Sequence, residues 1–141
     1  MGELTDRDYR ALAGFRFAVR KFLHFSEEAV RQEDLEPHQH QVLLAIRALD
    51  GAGPTIGQLA EHLLVRHHSA VGLIDRLEQR GLVERVRTDT DRRQVRVQLT
   101  PRGSEKLHRL ASAHRAELLT FGPQLLEALR VVLEEEHETD R

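Results

Sequence analysis

Basic side chains are concentrated in the middle of this chain of 141 residues. Residues 66–103 hold nine arginines against five acidic residues, a net charge of +4, whereas residues 1–65 and 104–141 each carry a net charge of −3. Guanidinium groups donate hydrogen bonds in a planar fork that suits phosphate oxygens. A basic segment between acidic ends is therefore typical of a module that binds a polyanion. The same charges could also form a solvated surface without a partner.

Two short helices joined by a tight turn are predicted at the start of this basic segment, and the second helix carries its first arginines. Thr55 and Gln58 form a capping-box pattern, which starts a helix after the breaker-rich residues 50–54. After a break at residues 64–65, a second helix is predicted from about Arg66 to Arg80, with Gly81 as its stop. Its apolar residues recur at helical spacing, at Ala70, Leu73, Ile74 and Leu77. Two such helices make a helix-turn-helix.

A β-hairpin is predicted directly after the second helix, because the apolar period changes there from 3.6 to 2. Residues 82–88 read as one strand, and Val95, Val97 and Leu99 alternate with polar residues in another. Residues 89–92 between them are of turn-forming types. The charged hairpin would form a wing beside the helix-turn-helix, which predicts a winged helix.

The candidate contacts to DNA follow from this placement, because the start of the second helix meets base edges in the major groove. Asp75 is out of place on that surface, since a carboxylate repels phosphate. It needs a cation, for which Arg93 of the wing is the best candidate, or it is simply a solvated residue. Arg92 at the wing tip would then enter the minor groove. The predicted DNA-binding residues are Arg66, His67, His68, Ser69, Val71, Gly72, Arg76, Arg92 and Arg93.

Long helices are predicted on both sides of the winged helix. Residues 5–32 read as one helix with Thr5 as its N-cap, and Pro37 opens another helix at its first position. Pro101 opens a helix that Gly122 and Pro123 are expected to interrupt, with a last helix beyond them. Wide apolar stripes on the terminal helices must be buried somewhere.

Residues 55–103 resemble the winged helix of the MarR family of bacterial transcriptional regulators. The matching stretches are QLAEHL at 58–63, LIDRLEQRGLVER at 73–85 and DTDRRQVRVQLTPRG at 89–103. The resemblance implies a mainly α fold with a small β-hairpin wing, in which residues 35–103 form the winged helix-turn-helix. It also implies the pair of Asp75 with Arg93 and minor-groove contacts from the wing. The three residues at 66–68 depart from the small polar residues often found at that turn in the family.

The same resemblance implies a homodimer, held together by a helical region of residues 1–34 and 104–141. The residues expected in that interface are Phe15, Val19, Phe22, Leu125 and Leu129. Regulators of this family usually respond to a small aromatic or anionic ligand bound between the dimerisation helices and the winged helix. His24, His40 and Arg47 lie near the expected crevice, although each is also explained as a surface or core residue.

The function expected is that of a sequence-specific regulator of double-stranded DNA, a repressor that a small ligand releases from an inverted-repeat operator. A metal-responsive regulator of the same fold stays open as an alternative, although His38 and His40, like His108 and His114, are not spaced to share a helix face. A winged helix that binds proteins is another alternative. No phosphate loop, cysteine nucleophile or serine elbow indicates an enzyme, and no cofactor is expected. The absence of cysteine and of a long apolar run fits a cytoplasmic protein without a membrane segment.

Overall fold

The computed structural model describes residues 2–49, 51–88 and 91–138, with the backbone alone at residues 88, 91–93 and 135–138. Within these ranges the chain is mainly α-helical with one antiparallel β-hairpin, which confirms the predicted fold class. No helix there is long and apolar enough to span a bilayer. The elements in chain order are α1 (Asp6–Gln32), α2 (Pro37–Ala48), α3 (Ile56–Leu63), α4 (His67–Gln79), β1 (Val83–Thr88), β2 (Asp91–Leu99) and α5 (Pro101–Glu138).

The chain divides into two compact units. The helical unit comprises Met1–Ala29 and Ser112–Arg141, and the winged-helix unit comprises Val30–Ala111. Most of α1 and the distal part of α5 form the first unit, and the remaining elements form the second. Residues 1–34 and 104–141 were predicted to form a dimer interface, and residues 35–103 were predicted to bind DNA. These roles concern function and stay predictions.

Local hydrogen bonds start the helices where the sequence predicts. The Thr5 hydroxyl accepts from the Asp8 amide at 3.3 Å, and the Thr55 hydroxyl accepts from the Gln58 amide at 3.2 Å. The Gln58 side chain in turn accepts from the Thr55 amide at 2.9 Å, which completes the capping box. Pro37 occupies the start of α2, where its missing N–H costs no helical hydrogen bond. These N-terminal predictions are confirmed.

The winged-helix unit has its own hydrophobic core. All seventeen of the buried apolar side chains that the structure describes belong to this unit. All seven elements contribute to this core, and Leu35 and Leu82 add to it from the connections between elements. The four predicted core positions of α4 are among them, from Ala70 to Leu77. The core fixes which face of α4 points outward, because its apolar residues occupy a single stripe.

The wing has a shorter turn than predicted. Arg87 pairs with Val95, but the next residue, Thr88, pairs with Asp91, so that the register shifts between them. β2 therefore begins at Asp91, within the residues 89–92 that were expected to form the turn. An irregularity of this kind places extra residues on one strand and interrupts the alternation of side chains. The period-2 pattern begins only at Val95, and this explains the error.

Helix α5 runs without interruption through Pro123, so the predicted break at Gly122 and Pro123 is wrong. A proline inside a helix removes one hydrogen bond and crowds the carbonyl four residues earlier, at a cost of about 3 kcal/mol. The helix nevertheless continues to Glu138, so the rest of this 38-residue helix offsets the local cost. Phe22 of α1 and Leu118, Phe121 and Leu125 of α5 line a small cavity of about 60 Å³ in the helical unit.

Candidate nucleic-acid interface

The beginning of α4 forms an exposed polar surface. Leu64 ends α3 in the left-handed conformation, and the Val65 amide donates to the Ala60 carbonyl at 3.0 Å, which closes the turn between the helices. Arg66 is the N-cap residue of α4. The structure therefore brings the predicted contacts of this turn together in one solvent-facing group, namely Arg66, His67, His68 and Ser69.

The predicted surface continues along one side of α4. Val71 and Gly72 are half-buried and Arg76 is exposed. A Cβ atom added to Gly72 would meet nothing closer than the Arg76 guanidinium at 3.9 Å. The chain's own packing therefore does not require glycine at this position, and the surface above it is open to a close partner. The DNA-binding roles of these residues stay predictions.

Asp75 finds its cation on β1. The Arg85 Nη2 atom donates to Asp75 Oδ1 at 2.5 Å, and Nη1 donates to Glu78 Oε1 at 2.7 Å. The Arg85 amide also donates to Glu78 Oε2 at 3.2 Å. Hydrogen bonding to Asp75 raises the pKa of the Arg85 guanidinium. Asp75 is thus part of a clamp between α4 and the wing, and not merely a solvated carboxylate.

Arg93 was predicted as the partner of Asp75. The side chains of Arg93 and Arg92 lie outside the described part of the structure, so this prediction is not tested. Arg85 was missed. A signal for it was available, because Asp75 and Glu78 are three residues apart and share a helix face. Two carboxylates on one face need a cation, and Arg85 is the first basic residue of the strand that follows α4.

The arginines of the basic segment divide into two groups. Arg80, Arg85 and Arg96 bind within the chain: Arg80 donates to the Asp34 carbonyl at 2.5 Å, and Arg96 donates to the Gly53 carbonyl at 2.9 Å. These three hold α4 and the hairpin in place. The second group makes no ion pair or side-chain hydrogen bond with the described residues and is exposed to solvent: Arg66, Arg76, Arg87 and Arg102.

The residues suggested for a ligand are divided between the two units. His24 is exposed in the helical unit, whereas His40 is buried and Arg47 exposed in the winged-helix unit. Arg47 lines a cavity of about 300 Å³ together with Gln98 and Ser104. Their ligand role stays a prediction. Among the residues that the structure describes, no cluster of three or more histidines and acidic residues could hold a metal ion.

The residues expected in a dimer interface lie in the helical unit. Four of them are half-buried, namely Phe15, Val19, Phe22 and Leu125. The Phe22 ring packs edge-on against the His114 ring of its own chain, with 6.0 Å between the ring centroids. Leu129 belongs instead to an exposed apolar stripe on α5. An apolar stripe on this helix was predicted, but of its residues only Leu129 was named for the interface. With the half-buried Gly122 included, the spacings alternate between three and four, and the exposed residues are Leu119, Leu126, Leu129 and Leu133.

Comparisons with known proteins agree with this architecture. Residues 33–94 match a model described as "MarR family". The HTH-type transcriptional regulator Hpr of Exiguobacterium sibiricum is 33 % identical over 88 residues, which cover 62 % of this chain and 46 % of that protein. The chain thus spans about half of that relative's length.

Two further matches cover more of the chain. A putative transcriptional regulatory protein for the hcr operon of Thauera aromatica is 28 % identical over 136 residues, 94 % of this chain and 81 % of that protein. A variant of S. aureus MepR, solved bound to an oligodeoxyribonucleotide, superposes with a TM-score of 0.68 over 99 % of this chain and 100 % of that one. Its sequence identity is 22 %, so this last likeness concerns the fold.

Proposed function

We propose that this chain, which belongs to the MarR family of transcriptional regulators, controls transcription by binding double-stranded DNA through the start of α4 and the wing. The observation that carries the proposal is the division of the arginines. Three arginines hold the recognition helix and hairpin in place, while four exposed ones remain without a partner among the described residues. Exposed guanidinium groups without a partner among the described residues suit a phosphate backbone.

The residues have distinct roles in this proposal. Arg66, His67, His68 and Ser69 face base edges in the major groove, because they begin the recognition helix. Val71 would meet a thymine methyl group, and Gly72 lets the backbone approach. Arg76 contacts phosphate. Arg92 and Arg93 extend the contact from the wing to the minor groove.

The exposed stripe on α5 supports a homodimer. Apolar residues at alternating spacings of three and four form the seam of two-helix contacts, and the stripe residues Leu119 and Leu126 are about 70 % exposed in the single chain (72 % and 67 %). A two-fold dimer presents two recognition helices, which bind half-sites about one helical turn apart. The proposed operator is therefore an inverted repeat.

We propose in addition that the regulator is a cytoplasmic repressor and that a small anionic or aromatic molecule releases it from DNA. Arg47 supports an anionic ligand, since it makes no ion pair with the described residues and faces a cavity that is large enough for a small molecule. Such a ligand would act by favouring a dimer whose recognition helices no longer match the operator spacing.

The test is a titration of the purified chain against a labelled duplex from upstream of its own gene, repeated at rising salt. Affinity should fall steeply with salt, because each phosphate contact releases counterions. Arg66→Gln and Arg76→Gln should each weaken binding. Arg76→Gln should also reduce the slope of log affinity against log salt by about one, because a phosphate contact is lost, whereas Arg66→Gln should relax the sequence preference, because a base contact is lost. The matched control is Arg20→Gln, which changes an exposed arginine of α1. Duplex binding that is absent, or independent of salt, would contradict the proposal.

A further inference from the structure

Leu64, in the turn between α3 and α4, combines two unfavourable properties. Its backbone has φ 57° and ψ 40°, in the left-handed region that is crowded for any residue with a Cβ atom. Its side chain is 92 % exposed, more than any other large apolar side chain that the structure describes. The conformation favours glycine or asparagine, and the exposure favours a polar residue.

The fold does not explain a leucine at this position. The turn is closed by backbone groups: the Leu64 amide donates to the Glu61 carbonyl at 3.2 Å, and the Val65 amide donates to the Ala60 carbonyl at 3.0 Å. Asparagine could supply the same backbone bonds with less strain, since its short polar side chain tolerates the left-handed region. Backbone strain that the fold does not need points to a functional role.

The position of Leu64 indicates a partner. It lies three residues before the first residue of α4, next to the exposed Arg66 and His67 that are proposed to meet the major groove. The apolar stripe of α5, in contrast, belongs to the other unit. A single apolar side chain within a cationic surface suits a nucleic acid better than it suits an apolar protein surface.

We infer that Leu64 contacts DNA at the edge of the major groove, beside the bases that the start of α4 reaches. This inference rests on the proposed function. The apolar groups of a duplex within reach of a leucine are thymine methyl groups and the carbon atoms of deoxyribose, and contact with a thymine methyl would add to sequence preference. The turn therefore takes part in recognition and does not only connect two helices.

The experiment compares Leu64→Asn and Leu64→Met in the full chain, with a labelled duplex that the wild-type chain has selected from a randomised pool. We expect Leu64→Asn to unfold at the same or a higher temperature and to bind the duplex about tenfold more weakly, because an apolar contact is lost without damage to the fold. Leu64→Met should bind like the wild type. Replacing thymine by deoxyuridine weakens wild-type binding if methyl groups are contacted and leaves it unchanged if deoxyribose is contacted.

The outcomes separate this inference from the proposed function. If the wild-type chain selects no duplex, both fail. If it selects one and Leu64→Asn binds that duplex as tightly as the wild type, only the contact of Leu64 fails. A lower unfolding temperature for Leu64→Asn, with a matching loss of affinity, would instead assign Leu64 a structural role and overturn the inference.

Discussion

The two units of this protein differ in whether their apolar side chains are buried or exposed. The winged-helix unit contains all of the buried apolar side chains among those described, and only Leu44 and Leu64 are large and exposed there. In the helical unit no described side chain is buried, and eleven large apolar residues are exposed. Exposed apolar surface of that extent is typical of an interface. The winged-helix unit thus folds around its own core, and the exposed apolar surface of the helical unit is the basis of the proposed dimer.

The largest expected effect comes from the α5 stripe. Leu126→Glu places a carboxylate at the centre of the proposed dimer seam, where burial of an unpaired charge should weaken the dimer about 100-fold or more. Sedimentation equilibrium measures this directly. Ala116→Glu is the matched control, because it adds the same charge to an exposed position of α5 outside the stripe. If Leu126→Glu remained dimeric like the control, the proposed seam would be in the wrong place.

The second effect concerns the core of the winged-helix unit. A Cβ atom at Gly103 would lie 2.0 Å from the Leu82 carbonyl oxygen, so that Gly103→Ala forces backbone groups apart and should cost about 3 kcal/mol. Gly14, in α1, has nothing within 4 Å of such an atom, and Gly14→Ala should stabilise the helix by about 0.5–1 kcal/mol. Urea unfolding of both variants tests the pair. If both substitutions changed the free energy of unfolding by the same amount, the expected difference in packing between the two positions would be wrong.

The third effect concerns the ion pairs on the surface of the winged-helix unit, which are expected to matter less for stability than its core. Arg85→Met removes the clamp but keeps the aliphatic stem, and the partly exposed ion pairs should cost at most about 1 kcal/mol of stability. DNA affinity should fall more, about tenfold, because the wing loses its fixed angle to α4. Arg109→Met is the control, since Arg109 also holds a carboxylate, Glu33, at 3.0 Å. An unchanged DNA affinity for Arg85→Met, measured by fluorescence anisotropy, would restrict the clamp to a structural role.

The smallest effect is one of pH. Hydrogen bonds from Arg109 lower the pKa of Glu33 from 4.5. A carboxyl group with a lowered pKa in the folded state stabilises that state above its unfolded pKa, and this contribution is lost as the pH falls through the folded value. The free energy of unfolding of the wild type should therefore decline more on acidification below about pH 5 than that of Glu33→Gln. Parallel pH profiles for the two chains would show that this pair contributes nothing.

The features that sequence reasoning predicted well depend on neighbouring residues. The N-caps at Thr5 and Thr55 were predicted correctly because capping hydrogen bonds join residues three apart. The outward face of α4 was predicted because its core residues repeat at helical spacing. The break at Pro123 was predicted by the same local logic and was wrong, because one proline removes a single hydrogen bond of a long helix and does not by itself end it.

The amino-acid sequence was sufficient to predict the helix starts at Thr5, Pro37 and Thr55, the buried stripe of α4, the hairpin that follows it and the basic character of the middle segment. Periodicity and local hydrogen bonds act over a few residues, so these features can be recognised without the fold. The sequence did not reveal that Arg85 binds Asp75, which arginines lack a partner among the described residues, or which of the described apolar residues are exposed. Each of these features depends on the strand register or on the packing of distant helices. Strand register and helix packing bring together side chains that lie far apart in the sequence, so the sequence does not show which of them are in contact.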